Sequence, residues 1–277
     1  MTDPFAKPAY LDRYGLKEPP YTTNPDERYL FLTEGHEEAI QMCGNIITNR
    51  QGAGLIVGEQ GTGKTTIMRR LFSLMHSHGN FNIAMIETAE HCPTIFQMVK
   101  EILESFGQSC QGRDTKARLD QLKTYLWDSY QKQQVCVLLI DEAQQMHGPL
   151  LESLRGLLNF EDPSIGGKLL QIILFGMPGI NRKLRYAPSL TNRLVRSELG
   201  RMTRTEMEDM LKWRFTQAGG RFFPFDSSSL DRLFEVTKGN PRSVCGIAQL
   251  ALEYSGSINN AVNADVITDV AKTRILD

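Results

Sequence analysis

One octapeptide limits the fold of this chain more than any other feature. Residues 58–65 read GEQGTGKT, which matches the pattern G-x-x-x-x-G-K-[ST], and they stand between the apolar run AGLIV and a helical pattern. Glycines let successive backbone N–H groups point into one cavity, where they and the following helix N-terminus hold phosphate oxygens. The segment therefore predicts a strand, a phosphate-binding loop and a helix within an α/β fold.

The same loop supplies the candidate nucleotide ligands. We expect Lys64 to reach the β- and γ-phosphates and the Thr65 hydroxyl to bind Mg²⁺, so the predicted cofactors are ATP and Mg²⁺. The residues expected to line the phosphates are Gly58, Glu59, Gln60, Gly61, Thr62, Gly63, Lys64, Thr65 and Thr66.

An acidic pair follows another apolar run. In VCVLLIDEAQ, Asp141 and Glu142 stand where a strand ends, which is the ligand-facing edge of a parallel sheet. Asp141 is expected to hold Mg²⁺, and Glu142 to orient or deprotonate an attacking water. The alternative is an acidic pair that only caps the next helix. Together with the glycine loop, the pair predicts an enzyme that converts ATP and water to ADP and phosphate.

The order of the patterns predicts the domain organisation. Strand and helix patterns alternate through the first two thirds of the chain, which is typical of a parallel sheet with helices on both faces. Beyond about residue 200 only four amphipathic helical patterns remain. We therefore expect an irregular leader over the core at 1–34, an α/β core at 35–200 and a small helical lobe at 201–277.

Two arginines are candidates for contact with the γ-phosphate. Arg242 follows the turn Gly-Asn-Pro at a helix start, where the helix dipole disfavours a cation, so a functional reason is plausible. Arg193 ends a helix before a strand pattern and could reach the nucleotide of a neighbouring subunit. A solvated surface arginine and a cation at a helix C-terminus are the respective structural alternatives, and Arg196 is a second candidate for the role of Arg193.

Composition excludes several classes of protein. The longest apolar runs fall far below the roughly 20 residues that span a bilayer, and the start of the chain lacks a secretion-signal pattern, so we expect a cytoplasmic protein without membrane contact. Five scattered cysteines predict neither a disulfide framework nor a zinc site. The net charge of -1 shows no global basic excess, although a local basic stripe remains compatible with it.

Taken together, these motifs resemble those of the AAA+ ATPases. More closely, the chain is similar to the ExeA-like family, the ATPase domain of general secretion pathway protein A and related transposon target-selection ATPases. The likeness runs from YLDRYGLKEPPY through GEQGTGKTT, LLIDEAQQMHGPLLESLRGLLNFE, LLQIILFGMPG and LTNRLVRSELGRMTRTEMEDMLKWRF to KGNPRSV. By this resemblance the P-loop pair is Lys64 and Thr65, the Walker B pair Asp141 and Glu142, the arginine finger Arg193 and the sensor-two arginine Arg242.

The resemblance has further implications and one departure. It implies that the segment 21–29 lies near the adenine, with simple packing as the alternative. Met177 in FGMPG stands where the family usually has a polar residue able to sense the γ-phosphate. This departure predicts slow hydrolysis.

Three functions remain open. The family's secretion ATPases continue into a membrane span and a periplasmic wall-binding region, which these residues do not show, so we favour the transposon regulators. Such a protein would assemble with ATP as a ring or helical filament on double-stranded DNA, without sequence specificity, and would link a target selector to the transposase. The alternatives are a secretion or envelope-assembly ATPase that acts on protein, and a nucleotide-dependent signalling or defence switch.

Two basic segments are candidates for the DNA surface, because sequence-independent binding needs only cations that track phosphates. The alternative for each is an ordinary solvated helix face. The candidates are Arg113, Lys116, Arg118 and Lys123 in the first segment, and Arg182 and Lys183 in the second.

Overall fold

The computed structural model describes residues 8–22, 27–88, 92–160, 166–258 and 261–275. The chain divides into two compact units. One is continuous and runs from Glu34 to Leu199, whereas the other combines residues 1–33 with residues 200–277. The observed boundaries between the units lie one residue before those expected at 34/35 and 200/201. The leader belongs to the same unit as the helical segment.

The continuous unit contains a five-stranded parallel sheet. Its strand order is β2-β3-β4-β1-β5, so β1 lies between β4 and β5. The register pairs Ile140 with Leu174 and Val57 with Gly176, which brings the carboxyl ends of β3, β4 and β1 to one edge. The predicted α/β class is confirmed. The strands are β1 (Ala53–Gly58), β2 (Phe81–Ile86), β3 (Val135–Ile140), β4 (Leu170–Gly176) and β5 (Leu194–Leu199).

Helices cover both faces of this sheet. Alternate strand residues point to opposite faces, so Leu138 joins the core beneath α4, α5 and α6, while Leu139 joins the core beneath α2 and α3. Every residue of β1 is buried, as expected for a central strand covered on both sides. The helices are α2 (Glu34–Thr48), α3 (Lys64–His78), α4 (Ile95–Ser105), α5 (Thr115–Gln131), α6 (Gly148–Leu158), α7 (Ile180–Leu184) and α8 (Pro188–Thr191).

The second unit is helical. Its α9 begins with a capping box, in which Thr203 and Glu206 each accept a hydrogen bond from the other's backbone N–H. Asp226 caps the following helix by accepting from the N–H of Ser229 at 2.7 Å. The helices are α1 (Ala9–Tyr14), α9 (Arg204–Gln217), α10 (Ser227–Thr237), α11 (Pro241–Ile258) and α12 (Ala264–Ile275), with a 3₁₀ turn at Glu27–Tyr29.

The leader was expected over the α/β core, but its buried side chains lie in the core of the helical unit. Tyr21 is only 1% exposed, and its hydroxyl donates to the carbonyl of Leu211 in α9 at 3.1 Å. Arg214 donates to the carbonyls of Thr22 and Tyr29, at 3.1 and 3.0 Å, and so holds two separate points of the leader. These tertiary contacts hold the described parts of the leader, and local sequence patterns do not reveal them.

Among the described residues, none of the helices combines the length and the apolar character required to cross a membrane. The same part of the chain contains no group of three or more His, Cys, Asp or Glu side chains arranged to hold a metal ion.

The turn before α11 requires glycine. Gly239 has a φ of +72°, and a Cβ there would overlap the carbonyl oxygen of Met202. The backbone N–H of Met202 in turn donates to the Gly239 carbonyl at 2.9 Å. Asn240 then caps α11 by accepting from the N–H of Ser243 at 3.2 Å. Gly239 and Asn240 together fix where the helix carrying Arg242 begins.

We predict that Gly239→Ala lowers the free energy of unfolding by about 3 kcal/mol, because the methyl group adds a backbone clash to left-handed strain. Chemical denaturation would measure the loss. Gly15→Ala is the matched control in the same unit, since Gly15 has a φ of +69° and open space around it. This control should lose only about 1 kcal/mol. Equal losses would contradict the clash.

Candidate functional site

The glycine-rich loop connects β1 to α3 in a compact, closed turn. Gly61 and Gly63 have φ values of +81° and +100°, which few other residues adopt. The Thr62 hydroxyl donates to the carbonyl of Glu59 at 2.8 Å and closes the loop on itself. Gly58 leaves room for that hydroxyl, because a Cβ there would come within 2.5 Å of it. The loop conformation therefore depends on glycine at three of its positions.

Lys64 is folded over this loop. Its side chain is buried, and its Nζ donates to the carbonyls of Gly58 and Glu59 at 2.9 and 3.0 Å. Burial lowers the pKa of Lys64, while the carboxylates of Glu142, Asp141 and Glu59 oppose that effect. The loop thus holds a desolvated cation close to three acidic side chains, a position from which it could pair with phosphate oxygens.

The two side chains predicted to hold Mg²⁺ contact each other directly. The Thr65 hydroxyl donates to Oδ2 of Asp141 at 2.8 Å, although the two residues are 76 positions apart. The other carboxylate oxygen, Oδ1, accepts from the backbone N–H of Glu142 at 2.8 Å. A hydroxyl and a carboxylate are hard oxygen ligands of the kind that Mg²⁺ takes beside water and phosphate. These residues therefore fit the predicted ion.

Glu142 has an unusual backbone conformation, with φ of 51° and ψ of 34°. Non-glycine residues rarely occupy this left-handed region, and such residues cluster at functional sites. Its carboxylate accepts from Nε2 of Gln144, whose Oε1 accepts from the N–H of Met177 at 2.8 Å. The sequence reasoning did not identify Gln144. No spacing rule could have found it, because its role depends on the neighbouring end of β4.

His36 is the second residue that sequence reasoning missed. It lies in the first turn of α2, it is buried, and its Nε2 is 2.8 Å from the Thr62 carbonyl oxygen in the loop. Gly63 packs so closely that a Cβ there would overlap the imidazole. One signal was present: His36 shares the face of α2 that Ala39 and Cys43 bury. A polar residue on an apolar helix face often has a specific partner.

The predicted arginines lie on exposed surfaces. Arg193 follows α8 and donates to Oδ1 of Asn159 at 2.6 Å, whereas Arg196 in β5 has a longer contact of 3.5 Å with Asn181. Arg242 is the second residue of α11 in the helical unit and is also exposed. The catalytic roles of these arginines remain predictions.

Most of the candidate DNA-binding cations are exposed, but Arg118 is not. Its guanidinium donates to the carbonyls of Gly112 and Phe96, at 2.9 and 2.7 Å, and lies 3.3 Å from the centre of the Phe96 ring. It therefore fastens α5 to the start of α4, in contrast to the expected surface role. Arg113, Lys116, Lys123 and Arg182 are exposed, and Lys183 is partly buried.

Comparison with known proteins identifies a matching family. The family model described as AAA domain, AAA_22, matches residues 47–184, about half of the chain. General secretion pathway protein A of Aeromonas hydrophila is 28% identical over 265 residues, which cover 93% of this chain and 47% of that protein. The chain thus spans about half the length of the curated relative that it matches.

Solved structures share the fold. ORC2 of Aeropyrum pernix, in its ADPNP-ADP complexes, has a TM-score of 0.65 and 19% identity, covering 93% of this chain and 72% of that one. Drosophila ORC bound to DNA has a TM-score of 0.69 and 15% identity, covering 99% and 69%. Domain III of the Thermotoga maritima replication initiation protein DnaA has a TM-score of 0.56 and 15% identity, covering 91% and 98%.

We predict that His36→Ala lowers the free energy of unfolding by about 2 kcal/mol, because the buried Thr62 carbonyl loses its partner. His36→Gln should recover part of the loss, since a side-chain amide can donate to the same carbonyl. Glu37→Ala is the control, because Glu37 is the next residue of α2 and is exposed. The interaction would be refuted if His36→Ala and Glu37→Ala unfolded at the same denaturant concentration.

Proposed function

Since this chain is a P-loop AAA protein of the ExeA-like type, we propose that it binds ATP with Mg²⁺ and hydrolyses the nucleotide. The observation that carries the proposal is the hydrogen bond between Thr65 and Asp141. It joins the start of α3 to the end of β3, and the pair that would hold Mg²⁺ lies close to Lys64. The ADPNP-ADP complexes of the structurally similar ORC2 support a nucleotide as the ligand.

The proposed mechanism assigns one role to each predicted residue. The backbone N–H groups at the start of α3 would hold phosphate oxygens, and Lys64 would exchange its loop carbonyls for the β- and γ-phosphates. Thr65 and Asp141 would hold Mg²⁺, which would neutralise charge on the phosphates. Glu142 would orient a water molecule and accept its proton as the water attacks. By the family resemblance, Arg193 of a neighbouring copy would stabilise transition-state charge in trans, and Arg242 would contact the γ-phosphate.

We further propose that ATP drives assembly of the chain on double-stranded DNA, where it regulates transposition by linking a target selector to the transposase. The motif order shared with transposon ATPases supports this proposal. So do the exposed cations of α5 and α7, because phosphate contacts need no base recognition. The structural similarity to Drosophila ORC bound to DNA is compatible with it.

A second candidate function is energy supply to a secretion or envelope-assembly complex. Its support is the sequence identity with General secretion pathway protein A, which extends over 93% of this chain. In this case the nucleotide cycle would act on a protein partner, and duplex DNA would change neither assembly nor turnover.

One assembly experiment separates the two candidates. The purified chain is imaged by negative-stain microscopy with ATP or a slowly hydrolysed analogue, with and without duplex DNA, at low and moderate salt. We expect rings or filaments that need both nucleotide and DNA and that diminish as salt rises. Their absence at both salt concentrations would refute the DNA proposal and favour the protein-directed candidate.

Three variants serve as controls for this assembly. Lys64→Ala should abolish it, because the phosphates lose their side-chain cation. Arg193→Ala should bind nucleotide as a monomer and fail to assemble, whereas Arg196→Ala should assemble like the parent if Arg193 is the residue that reaches the neighbouring nucleotide. Unchanged oligomers of Arg193→Ala would remove this role from Arg193, and loss of assembly in Arg196→Ala alone would transfer it to Arg196.

We predict that Glu142→Gln keeps nucleotide-driven assembly but lowers turnover by about 100-fold, since the amide cannot accept the proton of the attacking water. Phosphate release under saturating ATP measures the effect, and sedimentation with the slowly hydrolysed analogue checks that assembly persists. Turnover at the parental rate would show that Glu142 is not the catalytic base.

A further inference from the structure

Gln144 uses both ends of its side-chain amide. It lies in the 3₁₀ turn Ala143–Gln145 directly after the acidic pair. Its Nε2 donates to Oε2 of Glu142, and its Oε1 accepts from the backbone N–H of Met177 at 2.8 Å. The amide therefore bridges the carboxylate of Glu142 and the first residue after β4.

We propose that Gln144 is the positioning residue for Glu142, and this inference rests on the proposed role of Glu142 in ATP hydrolysis. An amide suits the task, because it donates to a carboxylate without adding a charge or competing for the proton.

The bridge completes the restraints on Glu142. The backbone of Glu142 is held in its left-handed conformation by a bond from its N–H to Asp141 Oδ1 at 2.8 Å. That bond leaves the direction of the carboxylate free, because rotation about the side-chain torsions does not affect it. Gln144 removes this freedom by tying Oε2 to a backbone group at the end of a fully buried strand. Catalytic groups need this kind of support from neighbouring rigid elements.

The bridge also assigns a role to the end of β4. Met177 has only a thioether sulfur, a weak acceptor, so its side chain offers no donor at this edge of the sheet. Its backbone N–H, which donates to Gln144, is a polar contact between the segment directly after β4 and the site. Displacement of the β4 end would therefore change the orientation of Glu142 directly.

The first test requires no nucleotide and exchanges the carboxylate and the amide between positions 142 and 144. Gln144→Glu places two carboxylates in contact, whereas the double variant Glu142→Gln with Gln144→Glu restores one amide and one carboxylate. The carboxylate at position 144 can still accept from Met177. Lys64 lies close to Glu142, and its side chain is the same in every variant.

We expect Gln144→Glu to melt several degrees below the parent at about pH 8, and the exchanged double variant to melt close to Glu142→Gln. Two adjacent carboxylates repel each other, whereas the exchanged pair keeps one amide donor and one carboxylate acceptor. Equal losses of melting temperature, in Gln144→Glu relative to the parent and in the double variant relative to Glu142→Gln, would overturn the bridge.

The second test measures catalysis with a matched neighbour as the control. Gln144→Ala should lower kcat for ATP by about tenfold while nucleotide affinity stays within about twofold of the parent. Gln145→Ala should leave both quantities unchanged, because Gln145 is the adjacent residue and is exposed. Gln144→Asn, whose shorter amide cannot span both partners, should resemble Gln144→Ala.

The two tests have distinguishable failures. A parental kcat in Gln144→Ala, or an equal loss in Gln145→Ala, overturns the positioning role even if the protein is an ATPase. A parent without turnover, with or without duplex DNA, refutes the proposed hydrolysis and the positioning role with it. In that case the melting comparison still decides whether Gln144 bridges the two strand ends.

Discussion

The parallel pairing of β1, β3 and β4 is the constraint on which the rest of the candidate site depends. Each strand contributes one element where it ends: β1 leads into the glycine loop, β3 into Asp141 and Glu142, and β4 into Met177. Parallel strands place these ends on one edge whatever their separation in the sequence. The hydrogen bonds from Thr65 to Asp141 and from Met177 to Gln144 are consequences of this register.

Packing makes the register stable. Successive residues of β3 are buried in different hydrophobic cores, one on each face of the sheet, so a shift by one residue would exchange the side chains of both cores. The polar groups of the site gather where the strands leave this apolar environment. Asp141 is buried, but both of its oxygens have hydrogen-bond partners, which offsets the cost of removing the carboxylate from water.

Local sequence patterns were sufficient to predict the α/β class, the glycine loop and the acidic pair. Each of these features is encoded by residues that are contiguous in the sequence. Local patterns were insufficient for His36, Gln144 and Arg118, because each of these side chains bonds to a group that only tertiary structure brings close. The leader shows the largest difference between the predicted and the observed placement. Its prolines and tyrosines predicted irregular structure, but its neighbours lie about 190 residues away in α9, beyond the reach of any periodicity.

The helical unit combines two segments that are far apart in the sequence. This separation determines the order in which its contacts can form during synthesis. Residues 34–199 form a continuous unit, whereas the helical unit combines the leader with residues 200–277. The burial of Tyr21 requires α9, and Tyr10 contacts α11, where its hydroxyl accepts from Gln249 at 2.7 Å. The leader is therefore synthesised before the helices that bury it. Its long-range contacts can close only after α9 and α11 have been made.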